Sequence, residues 1–173
     1  YLKLRGFIYD DINDTHWNAF TYKLAKRKYV SDDLSYFMII PTLRCNLKCS
    51  YCQVSRVNED KEGYDWTDQT VEEFYEFVLK KNTSKNIKIE FQGGEPTLRL
   101  DLINQIINWC DIHFENKEFA ICTNLQNLNS ELLKIIERPD VVISTSLDGV
   151  RDLHDSQRIQ DKGNTDSFFK NLE

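Results

Sequence analysis

From Tyr36 onward, short apolar runs alternate with stretches whose apolar residues recur every three or four positions. That alternation is the signature of repeated βα units and a parallel sheet, so the fold class expected is α/β. Four strands are predicted, at residues 36–41, 87–91, 118–122 and 141–147. The first intervening helix carries Val71, Phe74, Tyr75, Val78 and Leu79 on one face, with Thr67 as its N-cap. The second carries Leu102, Ile103, Ile106, Ile107 and Cys110, and the third Leu132, Leu133 and Ile136, stopped by Pro139.

Side chains along a strand alternate between faces, so each face can be read separately. Ile87, Ile89 and Phe91 share one face, as do Val141, Ile143 and Leu147, while Glu90, Gln92, Ser144, Ser146 and Asp148 share the other. If helices cover the apolar side, the polar side lines a concave interior suited to a ligand. The competing reading is a polar face that simply meets solvent, which a fully solvent-exposed Ser146 would favour.

Residues 1–35 show neither a clear period nor phosphate-binding glycines, although they are rich in aromatics (Phe7, Tyr9, Trp17, Phe20, Tyr22, Tyr29). They are set apart as an N-terminal segment from a core at 36–173. The chain starts at Tyr1 without a methionine and stops inside an amphipathic stretch at 167–172, and it reads as a fragment.

Composition narrows the function. An apolar content of 40% suits a globular core, and 22 basic against 28 acidic residues give a net charge of -6, without the basic footprint of a nucleic-acid binder. No apolar run reaches the roughly 20 residues of a membrane-spanning helix, and no signal sequence precedes the domain, so a cytoplasmic protein is expected. Five cysteines, three of them within eight positions, form a poor disulfide framework and fit metal ligation better.

Those three are Cys45, Cys49 and Cys52, on a loop directly after the first strand. Thiolates are soft ligands for zinc or iron-sulfur clusters. A structural zinc site is normally closed by four ligands, and the nearest histidines, His16 and His113, are distant in sequence. A cluster with three protein ligands leaves one iron open to an exogenous chelator. Gln92-Gly93-Gly94-Glu95-Pro96 follows the second strand on the same sheet edge, where barrel sites form. Paired glycines let backbone approach a ligand closely, though alone such a turn is an ordinary connector. Cys110 and Cys122, on a helix stripe and in a strand, read as small buried hydrophobes, with ligation of a further cluster as the alternative.

The spacing CxxxCxφC with Tyr51 before the last cysteine, then GGEP at 93–96, Thr123-Asn124, Ser146-Leu-Asp148-Gly149 and His154-Asp155-Ser-Gln-Arg158, resembles the radical SAM superfamily. The resemblance implies the N-terminal part of a partial (β/α)6 TIM-like barrel with parallel strands, its C-terminal strands and auxiliary-cluster domain lying outside this chain. It implies a [4Fe-4S] cluster on Cys45, Cys49 and Cys52, and S-adenosylmethionine (SAM) on the open iron, cleaved reductively to a 5′-deoxyadenosyl radical. By the same resemblance Tyr51 sits beside the adenine, Glu95 takes the SAM amino group, Arg158 pairs with its carboxylate, and Gly93, Gly94, Asn124, Ser146 and Asp148 complete the cofactor site. Gln92 faces the substrate, and His154 orients its loop. Leu125 stands where the family often has glycine, which puts that turn's geometry in question.

More narrowly, Pro41–Cys45, Cys52–Arg56, Ile89–Gly93 and Ile143–Asp148 resemble SPASM-type peptide maturases, nearest to those of His-Xaa-Ser systems. That branch implies a ribosomally made precursor peptide as substrate and a flavodoxin- or ferredoxin-type electron donor. Anaerobic sulfatase maturation, forming formylglycine, and an iron-sulfur electron-transfer protein are the alternative functions.

Overall fold

A computed structural model of the chain describes residues 2, 8, 11–27, 33–160 and 166–173. The chain divides into two compact units, Tyr1–Asp33 and Leu34–Glu173. In the first, helix α1 (Thr15–Arg27) begins where the Asp14 carboxylate accepts the His16 amide at 2.8 Å, satisfying a donor that every helix start leaves orphaned. Phe20, Tyr22 and Leu24 on this helix are exposed, so no buried stripe was there to be read from the sequence. Phe7, Tyr9 and Tyr29 lie outside the described residues.

The second unit runs β1 (Tyr36–Ile39), β2 (Arg44–Cys45), β3 (Leu47–Cys49), β4 (Val57–Asn58), α2 (Asp68–Lys81) and β5 (Asn86–Phe91), then a 3-10 turn (Pro96–Arg99). It continues with α3 (Leu100–His113), β6 (Asn116–Cys122), α4 (Ser130–Ile136), β7 (Val141–Ser144), α5 (Arg151–Gln157), β8 (Arg158–Gln160) and α6 (Asp166–Leu172). Strands β1, β5, β6 and β7 form one four-stranded sheet in that order, every pair parallel. The fold is α/β, consistent with a partial TIM-like barrel.

Register explains the core. Phe37, Ile89, Phe119 and Val141 form one row across the four strands, and Ile39, Phe91, Ile121 and Ile143 the next. Both rows pack against α2, α3 and α4 through Val71, Phe74, Ile103, Ile106 and Leu132. Thr67 caps α2 by accepting the Thr70 amide at 3.2 Å. Leu79 and Leu133, expected in the buried stripes, are 53% and 45% exposed: each lies past the edge of its stripe, and Ile135 takes the inward place on α4.

Four strand boundaries move, that of β5 by one residue to Asn86. β1 ends at Ile39 because Pro41 has no N–H for the ladder. β6 starts at Asn116, whose side-chain amide bridges to Asn86 at 2.8 Å. β7 stops at Ser144, opposite the last residue of β6.

The inner sheet face is mixed rather than wholly polar. Glu90 and Ser144 lie on it, but so do Met38 and Val142, which share a row with Glu90 and Ala120. Ser146 is exposed, but it lines the same cavity as the three cysteines, so it does not have the full solvent exposure that would favour the solvent-facing reading. The parallel strands and one-sided helix cover are those of the concave reading.

Two stability predictions follow from this packing. Ile103 is fully buried, and Ile103→Ala should lower the unfolding free energy by about 2–5 kcal/mol, read from the urea midpoint at unchanged slope. Arg138 donates to Asp140 (2.7 Å) and Asp111 (2.9 Å), and the Asp140 carboxyl is held below its ordinary value, first by that hydrogen bond. A depressed folded pKa stabilises above the unfolded value, about 3.9 for Asp, and that stabilisation is lost as pH falls through the folded value. Urea midpoints should therefore fall more steeply below about pH 4 in the wild type than in Arg138→Met.

Candidate active site

Two short pairings fix the cysteine loop. Arg44 and Cys45 of β2 pair in parallel with Val57 and Asn58 of β4, so the chain returns beside the first thiol. Leu47–Cys49 runs antiparallel to β8, which sets Cys49 directly opposite Arg158. The Ser50 amide donates to the Gln157 carbonyl (2.9 Å), and the Cys52 amide closes a turn onto the Cys49 carbonyl (3.1 Å). Cys45 is buried, Cys49 half-buried and Cys52 exposed. Burial pushes the Cys45 thiol up to about 11, and it raises Cys49 as well, against the pull of the Arg158 guanidinium.

The glycine turn is bound to this loop. The Gly94 amide donates to the Thr42 carbonyl (3.0 Å) and the Glu95 amide to the Arg44 carbonyl (2.8 Å). A Cβ on Gly93 would sit 2.4 Å from the Thr42 oxygen, and one on Gly94 would sit 2.2 Å from the Arg44 oxygen. Both glycines are needed for close backbone approach, but the backbone they approach is that of the cysteine loop rather than a ligand. Gly93 also has φ +131, a conformation L side chains rarely adopt.

Glu95 is 2% exposed. Its Oε1 accepts from the Thr97 amide (3.2 Å), Thr97 Oγ1 (2.6 Å) and Thr123 Oγ1 (2.7 Å), and its Oε2 from the Asn124 amide (2.8 Å). Burial pushes the Glu95 carboxyl up while these donors pull it back. Leu125 adopts φ 53, the left-handed turn that glycine would make freely. It is held there by Thr123 Oγ1, which accepts the Leu125 amide (3.1 Å), and by Asn171 Nδ2, which donates to the Leu125 carbonyl (2.8 Å).

A second polar group forms around Asp148. Asp148 accepts from Tyr51 Oη (2.7 Å) and Arg158 Nε (2.8 Å), and the guanidinium sits 5.8 Å from the Tyr51 ring centre. Burial works against ionised Asp148, but these two donors outweigh it and hold its pKa below the ordinary value. His154 is fully buried and stacks on Phe168 at 4.3 Å, and its Nδ1 accepts the Asp148 amide at 3.3 Å, so it orients this loop.

A cavity of about 340 Å³ brings together Cys45, Cys49, Cys52, Gly94, Glu95, Asn124, Ser146 and Arg158. Gly93, Tyr51 and Asp148 are not among its lining residues; Tyr51 and Asp148 reach it through Arg158. Cys122 corrects an expectation. It is half-buried on the cavity wall and donates to Glu90 Oε1 at 3.4 Å, rather than being enclosed in the core as Cys110 is. Sequence reasoning also missed Thr97; Thr123 stood in the Thr123-Asn124 motif and Glu90 on the polar inner strand face, but neither was assigned a role in the site. The donor set fits an iron-sulfur cluster with three protein thiolates. Among the described residues no group of three or more His, Cys, Asp or Glu side chains is arranged around a single metal ion, and none of the helices is long and apolar enough to cross a membrane.

If close backbone approach is what the turn requires, Gly94→Ala should lower the iron bound per chain after anaerobic reconstitution. Gly63→Ala, whose Cβ meets nothing within 4 Å, should leave iron unchanged and cost only the about 1–2 kcal/mol of a left-handed alanine.

The family model of the radical SAM superfamily matches residues 39–173. The chain is 27% identical over 137 residues to a cysteine-type anaerobic sulfatase-maturating enzyme of Clostridium novyi, covering 74% of this chain and 36% of the relative. It is 30% identical over 144 residues to a GTP 3′,8-cyclase of Clostridium botulinum, covering 81% and 43%. The fold of native anSMEcpe with bound AdoMet and Kp18Cys peptide matches with a TM-score of 0.61 at 24% identity, over 73% of this chain and 35% of that one. The chain thus spans less than half the length of these relatives. The match takes in the cysteine loop, the glycine turn and the Asp148–Arg158 segment together, and the chain belongs to the radical SAM superfamily.

Proposed function

We propose that this chain supplies the cofactor-binding part of an enzyme that reductively cleaves SAM and uses the resulting radical to modify side chains of a ribosomally made precursor peptide. The observation that carries the first half is the convergence of three thiols, Glu95 and Arg158 on one cavity. Cys45, Cys49 and Cys52 would hold the cluster, whose chemistry when bound is the one-electron cleavage of SAM to a 5′-deoxyadenosyl radical. Each residue around it has a task. Arg158, paired across the strands with Cys49, would present its planar fork to the SAM carboxylate. Asp148 keeps that guanidinium and the Tyr51 ring in place, leaving Tyr51 to flank the adenine. Glu95 Oε2, with one protein donor against three on Oε1, is the oxygen with room for the SAM ammonium. Ser146 lines the same space for the ribose.

The peptide half is supported by the solved peptide complex of anSMEcpe and by the QGGEP and SLDG stretches. Within it, the SPASM-type branch nearest to His-Xaa-Ser maturases is the assignment we favour, with a flavodoxin- or ferredoxin-type reductant. The second reading is formylglycine formation on a sulfatase, favoured by the likeness to the Clostridium novyi enzyme. The GTP cyclase likeness shows that substrate class varies among relatives of this sequence, so the peptide must be tested directly. A simple electron carrier would need the thiols but neither Glu95 nor Arg158.

Anaerobic reconstitution should yield about four irons per chain and a reduced-cluster electron paramagnetic resonance signal that changes on adding SAM. Cys49→Ala should abolish both the signal and 5′-deoxyadenosine release, and Arg158→Ala should keep the cluster but weaken SAM binding about tenfold or more. A cluster whose spectrum ignores SAM would make the chain an electron carrier. Deoxyadenosine release stimulated by GTP but by no peptide would reject the maturase half.

A further inference from the structure

Asn124 entered the cofactor site as a SAM contact, but its side chain is committed elsewhere. It is 9% exposed, and its backbone amide is fastened to buried Glu95 at 2.8 Å. Its Oδ1 accepts the Gln126 amide at 3.0 Å, which fixes which end of the amide points where. The NH2 group must then face the cysteine loop. The same nitrogen donates to Asn46 Oδ1 at 2.8 Å and lies 3.9 Å from Cys45 Sγ, so the shorter contact with Asn46 draws the amide away from the sulfur. The Leu47 amide reaches the same sulfur at 3.4 Å. Cys45, the buried thiol of the three, therefore has two N–H donors within reach, one of them on a side chain carried by the loop after β6.

We infer that Asn124 sets the reduction potential of the cluster through its N–H···S contact with Cys45, and that Asn46 sets how strongly it does so by competing for the same amide. The inference rests on Cys45 being a cluster ligand, as proposed above. Adding an electron to an iron-sulfur cluster increases the negative charge on its sulfurs, and a donor pointed at a ligating sulfur favours that reduced form. Removing the donor must move the potential negative. The Asn46 side chain diverts part of the NH2 group, so removing it must move the potential the other way. This couples electron acceptance at the cysteine loop to the geometry of the loop after β6, which Glu95 holds in register with the glycine turn.

The test is an anaerobic redox titration of the reconstituted chain without SAM, followed by electron paramagnetic resonance, with iron measured on every sample. Asn124→Ala should shift the reduction equilibrium about tenfold toward the oxidised cluster, which is about 59 mV for a one-electron couple. Asn46→Ala should shift it toward the reduced cluster. A residue that only supported the fold would not give shifts of opposite sign from two neighbours in one contact. At full iron loading, an unchanged or positive shift in Asn124→Ala overturns the inference. If Asn124→Ala loads no cluster, the sign of the Asn46→Ala shift decides: positive upholds the inference, and zero or negative overturns it. A wild-type chain that binds no iron would instead defeat the cluster assignment itself, and the iron measurement distinguishes that failure.

Discussion

Burying a carboxylate is costly unless donors surround it, and Glu95 is surrounded by four that come from two different loops. Thr97 ties it to its own turn, whereas Thr123 and Asn124 tie that turn to the end of β6. The Glu95 backbone amide reaches back to Arg44, one residue before the first cysteine. Three strand ends of the sheet are therefore locked through one residue. Taking it away would leave two hydroxyls and two amides without their acceptor, so the placing of the cysteine loop against the glycine turn depends on this one buried carboxylate.

The Arg158 group is built on a different principle. There β8 pairs with the cysteine loop so that Arg158 faces Cys49, and Asp148 neutralises the guanidinium while taking the Tyr51 hydroxyl. His154 lies beneath, enclosed by Phe168 and Phe169 of α6, and holds the Asp148 backbone. The cavity thus has both a carboxylate, Glu95, and a guanidinium, Arg158, among the residues that line it with the three thiols. A zwitterionic amino acid has the complementary charges, and the methionine moiety of SAM is one.

Much of this was legible in the sequence because the signals were local. The βα alternation gave four parallel strands, since Ile87, Ile89 and Phe91 can be buried on only one face, and Cys45, Cys49 and Cys52 fell on a strand-end loop. What escaped was decided by distant pairing. Nothing near Arg158 says that it becomes a strand opposite Cys49, 109 positions earlier in the chain. The glycines at 93 and 94 were recognised as close-approach positions, but the neighbouring backbone of Thr42 and Arg44 appears only once the loops are folded together. Leu125 was identified as a break in the turn pattern, yet its left-handed conformation depends on Thr123 and on Asn171 from α6. Cys122 was misjudged because a strand residue can face either the helices or the cavity, and its alternation with Phe119 and Ile121 was the overlooked clue.

The proposed function requires that Cys45, Cys49 and Cys52 hold a cluster with one iron left free for the amino and carboxylate groups of SAM. Electron–nuclear double resonance on the reduced, fully loaded protein, with SAM labelled at its amino nitrogen or carboxylate oxygen, reads that contact without requiring turnover. Hyperfine coupling from both labels is the predicted result, lost in Cys52→Ala. Absence of coupling from either label, or coupling to a fourth protein side chain in its place, would contradict it.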